Sequence, residues 1–238
     1  MTAAQVTKDN VYAMLRPWHS RGLAPKTISN YQQALRWLMR WLDVPFSIAA
    51  AMPHIMGVRP RGTLVTVEAF NKVLDHVRPH MRLYLLLCSD AAMRSGTAVK
   101  ITEANYDRER RSLVFTSKAN SHVYVPLTAR LAAMIEQAEE YGERDKPLVG
   151  RLGGMIGRNA AGHYARALQR AIRDAGVERF TSHDLRRSTA RRLYQDTKDV
   201  RLVQHMLGHV SMKSTFDYLF PHTSQVNAAQ VEKAAGEQ

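Results

Sequence analysis

His183-Asp-Leu-Arg-Arg187 sets an imidazole and a guanidinium three residues apart. On a helix that spacing puts both groups on one face, where they can grip a single phosphate. The guanidinium offers bidentate hydrogen bonds, and an imidazole can donate or accept a proton near neutral pH. The pairing alone says little, since His163-Tyr-Ala-Arg166 repeats it. His183 differs in its company: Thr181-Ser182 stand before it as a helix start, and Leu207-Gly-His209 and Thr215-Phe-Asp-Tyr218 follow. Two other motifs fail. His205-Met-Leu-Gly-His209 has the i, i+4 spacing of a zinc pair, but Met206 occupies the place of a Glu base and Gly208 breaks the helix, so no metal site is expected. Gly150-Arg-Leu-Gly-Gly-Met-Ile-Gly157 lacks a following Gly-Lys-Ser/Thr and reads as a turn, not a phosphate-cradling loop.

The elements that must position these groups can be read from periodicity. Val11, Met14, Leu15 and Trp18 recur at helical spacing, with Pro17 marking the helix end. Pro25 suits a first helical turn, and Ile28, Tyr31, Leu35, Leu38 and Leu42 form one apolar stripe, with Lys26, Gln32, Arg36 and Arg40 off it. From Val44 to Leu64 proline and glycine accumulate beside Arg59 and Arg61, which reads as a linker. Thr66 suits the N-cap of a helix carrying Val67, Phe70, Leu74 and Val77, and another helix runs through Met81 to Cys88. The period then changes: Ser112–Thr116 and His122–Pro126 are β-branched and aromatic runs joined by Ser117-Lys-Ala-Asn-Ser121, a hairpin with Lys118 in its loop. Helices resume, with Thr128 capping Leu131 to Tyr141 and Asn159 capping a segment through Asp174. Three shorter ones fit Asp184 to Gln195, Val200 to Leu207 and Met212 to Leu219.

Composition narrows the function classes. In 238 residues, 34 Lys+Arg face 21 Asp+Glu, a net charge of +13, while 45% hydrophobic residues supply a sizeable core. A disordered basic tail and a fibrous protein are both excluded. The one cysteine, Cys88, lies in the apolar run Leu85-Leu86-Leu87, so a buried thiol is expected, not a disulfide or a cysteine zinc site. No apolar run reaches the ~18 residues of a membrane span, and MTAAQVTKDN lacks a signal-peptide core, so a soluble cytoplasmic protein is expected. The surplus of base points to a polyanion, because each cation that neutralises a phosphate releases counterions. Residues 1–65 hold 8 bases and 2 acids, which concentrates that grip in a small helical unit.

Arg94 after Asp90-Ala-Ala-Met93, Lys118 in a hairpin closing with Val125-Pro126-Leu127, His183-x-x-Arg186, Leu207-Gly-His209 and Tyr218 follow one another in an order and spacing that resemble the tyrosine recombinase (phage integrase) family. The likeness runs from about Thr66 to Phe220, and Leu23-Ala-Pro-Lys-Thr27 with its helix resembles the family's DNA-clamping domain less specifically. The resemblance implies a mainly α fold with a small antiparallel β-sheet: a helical DNA-clamp domain at 1–58 with a linker to about 65, a mixed α/β catalytic domain at 66–220, and a tail at 221–238 for subunit contacts. It implies that Tyr218 attacks phosphorus, with His183 as base, Arg94 and Arg186 as cations on the nonbridging oxygens, and His209 hydrogen-bonded to the phosphate. Lys118 would protonate the leaving 5′ oxygen. The product would be a 3′-phosphotyrosyl DNA that a 5′-hydroxyl later attacks, in integration, excision or resolution of a mobile or circular element.

Neither a cofactor nor a metal is called for by that scheme. The implied partners are double-stranded DNA, a homo-tetramer on two DNA sites and accessory DNA-bending proteins, with no membrane; the implied place is the prokaryotic cytoplasm, on nucleoid, phage or plasmid DNA. Lys26, Arg36, Arg40, Arg59, Arg61 and Arg187 are the expected DNA-backbone contacts. Two features depart from the family pattern: Thr97 stands where an acidic residue is usual, and Ala91-Ala92 where Thr-Gly is usual. Threonine cannot neutralise Arg94, and residues 1–65 are shorter than a full four-helix clamp. A type IB topoisomerase and a catalytically silent DNA-binding factor are the alternatives.

Overall fold

Two units make up the chain, Met1–Pro60 and Arg61–Gln238. The structure is a computed structural model that describes residues 6–44, 63–116 and 122–220. Arg59, Arg61, Lys118, residues 45–62 of the linker and the 221–238 tail therefore lie outside the described residues.

In the first unit, Thr7 and Asn10 cap α1 (Lys8–Ser20) reciprocally, Thr7 N–H donating to Asn10 Oδ1 at 2.9 Å and Asn10 N–H to Thr7 Oγ1 at 3.3 Å. Pro17 does not end this helix, contrary to the expectation. Its fixed φ is compatible with the helix and only one ladder bond is lost, and the turn beyond it closes through Arg21 N–H on Pro17 O at 3.2 Å. Pro25 opens α2 (Pro25–Trp41). The buried face of α2 is Ile28, Gln32, Leu35 and Met39, whereas the expected stripe members Tyr31, Leu38 and Leu42 are exposed. This helix carries apolar residues all round, so the pattern offered two stripes, and packing of Leu35 and Met39 on Val11, Leu15 and Val44 selects one.

The second unit starts with α3 (Val67–Asp75), α4 (Pro79–Ser89) and the single turn α5 (Ser95–Ala98). A 3-10 turn and β1 (Tyr106–Asp107) lead into β2 (Ser112–Thr116) and β3 (His122–Pro126), an antiparallel sheet ordered β1-β2-β3 with Leu113 opposite Val125 and Phe115 opposite Val123. β3 shows the two-residue period, Val123 and Val125 buried between exposed neighbours. The helices α6 (Ala129–Glu139), α7 (Leu148–Arg151), α8 (Ala160–Asp174), α9 (Ser182–Thr197), α10 (Val200–Leu207) and α11 (Met212–Leu219) complete it.

α4 is the central element. From Leu83 to Ser89 every residue is buried, including Cys88, whose thiol burial pushes up to about 12. The main core gathers around it from α3, the sheet, α6 and α8, while a second apolar cluster of Ala92, Ala190, Val203, Leu207 and Leu219 binds α9, α10 and α11 together. Caps fall largely where the side chains allow: Thr66 Oγ1 accepts from Ala69 N at 3.1 Å and Thr128 Oγ1 from Leu131 N at 3.3 Å. α3 stops at Asp75, short of the expected Val77, and α6 at Glu139, short of Tyr141, and two helix starts differ in capping or position. Asn159 precedes α8 but makes no side-chain cap bond, its backbone already being near-helical at φ −95° and ψ 0°. α9 starts at Ser182, not Asp184, because Thr181 takes the N-cap and Asp184 becomes the third helical residue of its capping box. Leu148–Arg151, which run into the glycine-rich stretch, form a helical turn, with left-handed Gly153 and Gly157 beyond it.

Candidate active site

The capping box that starts α9 also places the site. Thr181 N–H and Oγ1–H donate to Asp184 Oδ2 at 2.9 and 2.7 Å, and Asp184 N–H returns to Thr181 Oγ1 at 3.3 Å. His183 thereby stands in the first turn, exposed, with Arg186 one turn on and 2% exposed. Arg186 joins three elements. Nη1 donates to the carbonyl of Ala92, and Nη2 donates to Leu207 O at 2.6 Å and lies 3.4 Å from His209 Nε2. Leu207 O belongs to the last turn of α10, whose carbonyls have no helical partner, so the guanidinium caps that end. Burial pulls Arg186 down to about 10, which leaves it charged at neutral pH. Its acceptors are carbonyls and an imidazole, none of them anionic, so its positive charge is held in place without being neutralised.

The turn after α4 delivers Arg94. Ala92 adopts the left-handed region at φ +47°, and Met93 N–H reaches back to Leu87 O at 3.0 Å, reversing the chain just before Arg94. Asp90 anchors the start of this turn. Its buried carboxylate accepts from Arg130 Nε at 2.6 Å and Nη2 at 2.7 Å and from Thr128 Oγ1 at 2.6 Å, fixing it to the segment that leaves the hairpin. Arg94 itself is exposed and, among the described residues, its guanidinium has no hydrogen-bond or ion-pair partner; none reaches it from Thr97. It is near enough to disfavour the protonated forms of His183, His209 and Arg186.

α11 carries Tyr218 into the same place, with Thr215 and Leu219 buried on its inner face. The half-buried Tyr218 hydroxyl lies 3.0 Å from Nε2 and 3.1 Å from Nδ1 of His183, so a rotation of the ring decides which nitrogen it meets. Its ring stands edge-on to those of His183 and His209, with centroids 5.2 and 5.1 Å away. The guanidinium carbons of Arg186 and Arg187 are 5.9 and 5.5 Å from the ring centroid.

Both histidines are kept neutral. Partial withdrawal of the ring from water against Tyr218, although the residue as a whole is exposed, then the charges of Arg187, Arg186 and Arg94, hold His183 below its usual value against the opposing pull of Asp184. Burial first, then Arg186, Arg94 and His183, push His209 down to about 4. With Arg186 donating to Nε2, the His209 proton sits on Nδ1 and is donated to Thr215 Oγ1 at 3.2 Å. An imidazolium capping the helix dipole is therefore not its resting state. Left-handed Gly208, at φ +56°, ends α10 and turns His209 inward, away from the exposed His205.

Arg94, His183, Arg186, His209 and Tyr218 thus come together from three separate stretches of chain. Lys118 lies outside the described residues, and Lys26 and Arg40 are exposed and Arg36 half-buried on α2 of the first unit. Arg187 is not on the surface with them: it sits beside Tyr218 with its side chain 17% exposed. Sequence reasoning missed the supports. Thr215 carried a signal, one turn before Tyr218 on the same helix face. The carbonyls of Ala92 and Leu207 and the Asp90–Arg130 pair carried none, because backbone acceptors have no side-chain signature and the ionic partners are 40 residues apart.

A model of the phage integrase family matches residues 64–224. The tyrosine recombinase XerC of Corynebacterium glutamicum is 28% identical over 182 residues, 74% of this chain and 57% of that protein, so the chain spans little more than half the length of this curated relative. Among solved structures, the XerH site-specific recombinase bound to palindromic difH substrate, a post-cleavage complex, matches with a TM-score of 0.72 at 20% identity over 98% of this chain and 72% of that one. A lambda integrase tetramer bound to a Holliday junction gives 0.65 at 20% identity over 94% and 68%. At these identities the structures speak to the fold, a mainly α architecture with a small antiparallel sheet.

Proposed function

The chain belongs to the phage integrase family, and from that premise we propose that it is a site-specific DNA recombinase that cleaves and rejoins strands through a 3′-phosphotyrosyl intermediate. One observation carries the reading: the Tyr218 hydroxyl is 3.0 Å from a neutral His183, beside an arginine whose charge no carboxylate among the described residues cancels. A phosphodiester repels nucleophiles through its anionic oxygens, so catalysis needs fixed cations there and a base for the phenol.

In the proposed step His183 takes the phenolic proton as Tyr218 oxygen bonds to phosphorus. Arg186 and Arg94 stabilise the charge on the nonbridging oxygens, Arg94 free to reach the phosphate because nothing described ties it down. The bond to the 5′ oxygen breaks, and Lys118 supplies the proton that makes it a hydroxyl. His209, oriented by Thr215, shares the phosphate pocket. Attack of a 5′-hydroxyl on the tyrosyl ester reverses these transfers, and the conserved bond energy makes a nucleotide cofactor unnecessary.

The partners of this reading are double-stranded DNA and three further copies of the chain on two sites. The basic α2, with Lys26 and Arg40 exposed, supports a clamping role for the first unit. Its setting is the cytoplasm of a bacterium, and among the described residues no helix is long and apolar enough to cross a membrane. The test is a nicked suicide substrate bearing the chain's own site: wild type should form a covalent adduct that Tyr218→Phe abolishes. An adduct undiminished in that variant refutes the assignment, and site binding with no adduct under any condition makes the chain a silent DNA-binding factor.

A further inference from the structure

Arg187 faces the Tyr218 ring and Asp184. Only 17% of its side chain is exposed, whereas Lys26 and Arg40 stand in solvent. Its Nη1 lies 3.8 Å from Asp184 Oδ1, the carboxylate oxygen left over when Oδ2 serves the capping box of α9. The Nε–H is buried with no hydrogen-bond partner among the described residues. What the guanidinium does face is the Tyr218 ring, with Cζ 5.5 Å from its centroid, closer than Arg186 at 5.9 Å. An aromatic face attracts a cation most strongly when both are withdrawn from water. The same ring also meets His183 and His209 edge-on and packs against the apolar cluster of α9, α10 and α11.

We propose that Arg187 is a positioning residue for the nucleophile: anchored by Asp184, it presses on the Tyr218 ring and keeps the hydroxyl against His183. The assignment rests on the reading of Tyr218 as the attacking group and goes beyond it, since it moves Arg187 from DNA binding to the chemical step. The contact is within one chain, so the tyrosine is set in register with its own base before DNA arrives. α11 has only eight residues, so a contact from α9 to the ring adds restraint to a short helix. Misplacement of a reacting atom by about 1 Å can cost about 100-fold in rate, which sets the scale for losing that restraint.

The experiment compares Arg187→Gln, Arg187→Lys and Tyr218→Phe with wild type as full chains on the nicked suicide substrate. Single-turnover cleavage is followed at saturating DNA, and affinity is measured across a salt series. Arg187→Gln should cleave about 30-fold more slowly while its affinity and salt slope stay within about twofold of wild type. Arg187→Lys keeps the charge but not the planar stacking group, and should lie between the two. Because a buried glutamine can disturb α9, thermal midpoints accompany the rates, and the lysine variant carries the test if glutamine unfolds. Wild-type cleavage at saturation in the folded variants overturns the proposal, and a salt slope shallower by about one with an unchanged saturated rate returns Arg187 to the DNA backbone. If wild type itself gives no adduct that Tyr218→Phe removes, the nucleophile reading fails and the proposal falls with it, an outcome distinct from a working enzyme indifferent to Arg187.

Discussion

Acid should loosen this protein through His209 in a way that one substitution can isolate. The ring is held neutral by burial and by three cationic or basic neighbours, with its pKa pushed down to about 4. In the unfolded chain the same imidazole titrates near 6.5. Above that value neither state binds the proton and His209 contributes no pH dependence. As pH falls below it, the unfolded state takes up a proton that the folded state refuses, so stability drops by about 1.4 kcal/mol per pH unit until the folded ring titrates. The full interval corresponds to about 3 kcal/mol, and since part of the ring reaches solvent about 2 kcal/mol is the expected share. The structural reason is plain: a proton on Nε2 would set an imidazolium 3.4 Å from the Arg186 nitrogen that now donates to it. Urea unfolding of wild type and His209→Gln at pH 7.5 and 4.5 measures the effect. Glutamine lowers stability at both values, but the loss on acidification should be smaller than in wild type by about 2 kcal/mol. Other titrating groups, His183 among them, act in both proteins and cancel. A difference under about 0.5 kcal/mol would show that His209 is not held neutral by its neighbours.

Arg186→Ala removes a cation from the site and a capping donor from α10, so single-turnover cleavage should fall about 10²- to 10³-fold with a much smaller change in DNA affinity; equal losses in both would argue against a transition-state role. Asp90→Ala should cost about 3 kcal/mol in denaturant unfolding, because three bonds to a buried carboxylate are lost, and a cycle with Arg130→Met should show coupling of at least about 1 kcal/mol. Additive effects would mean that the pair is not a unit. Thr97→Glu should give Arg94 the carboxylate partner it lacks; if a loose Arg94 limits the reaction, the cleavage rate rises about threefold or more, and an unaltered rate would place the control of Arg94 in the DNA.

Most of the second unit was legible because its signals are local. The strands at Ser112–Thr116 and His122–Pro126 are runs of β-branched and aromatic residues, and Thr66 and Thr128 are threonines at helix starts, so these elements could be read from neighbouring residues. The first unit was harder to read. α2 has apolar residues on every side, with Trp37 and Trp41 71% and 80% exposed while Gln32 is buried. Periodicity identifies a helix there but cannot say which face α1 will cover. Pro17 is the same kind of error: its local preference is real and worth about 3 kcal/mol, and the packing of Val11, Leu15 and Trp18 on either side of it overrides it.

Arg186 shows why the candidate site could be found from sequence and its construction could not. Its spacing from His183 marks it as a phosphate ligand, yet the bonds it makes run to the carbonyls of Ala92 and Leu207, 94 and 21 residues away. Those carbonyls belong to two places where the chain is otherwise ill at ease. Ala92 bears a left-handed backbone that costs an alanine about 1–2 kcal/mol, and Leu207 ends a helix whose last acceptors lack partners. One guanidinium answers both, and in doing so locks the turn that delivers Arg94 to the helix end that delivers His209. Assembly of the site and docking of α10 against α9 and the turn after α4 are therefore one event, not two. Lysine at 186 would keep the charge but could not span both carbonyls with a planar fork. Arg186→Lys should therefore lose stability and cleavage together, while a variant at exposed Arg94 should lose cleavage alone.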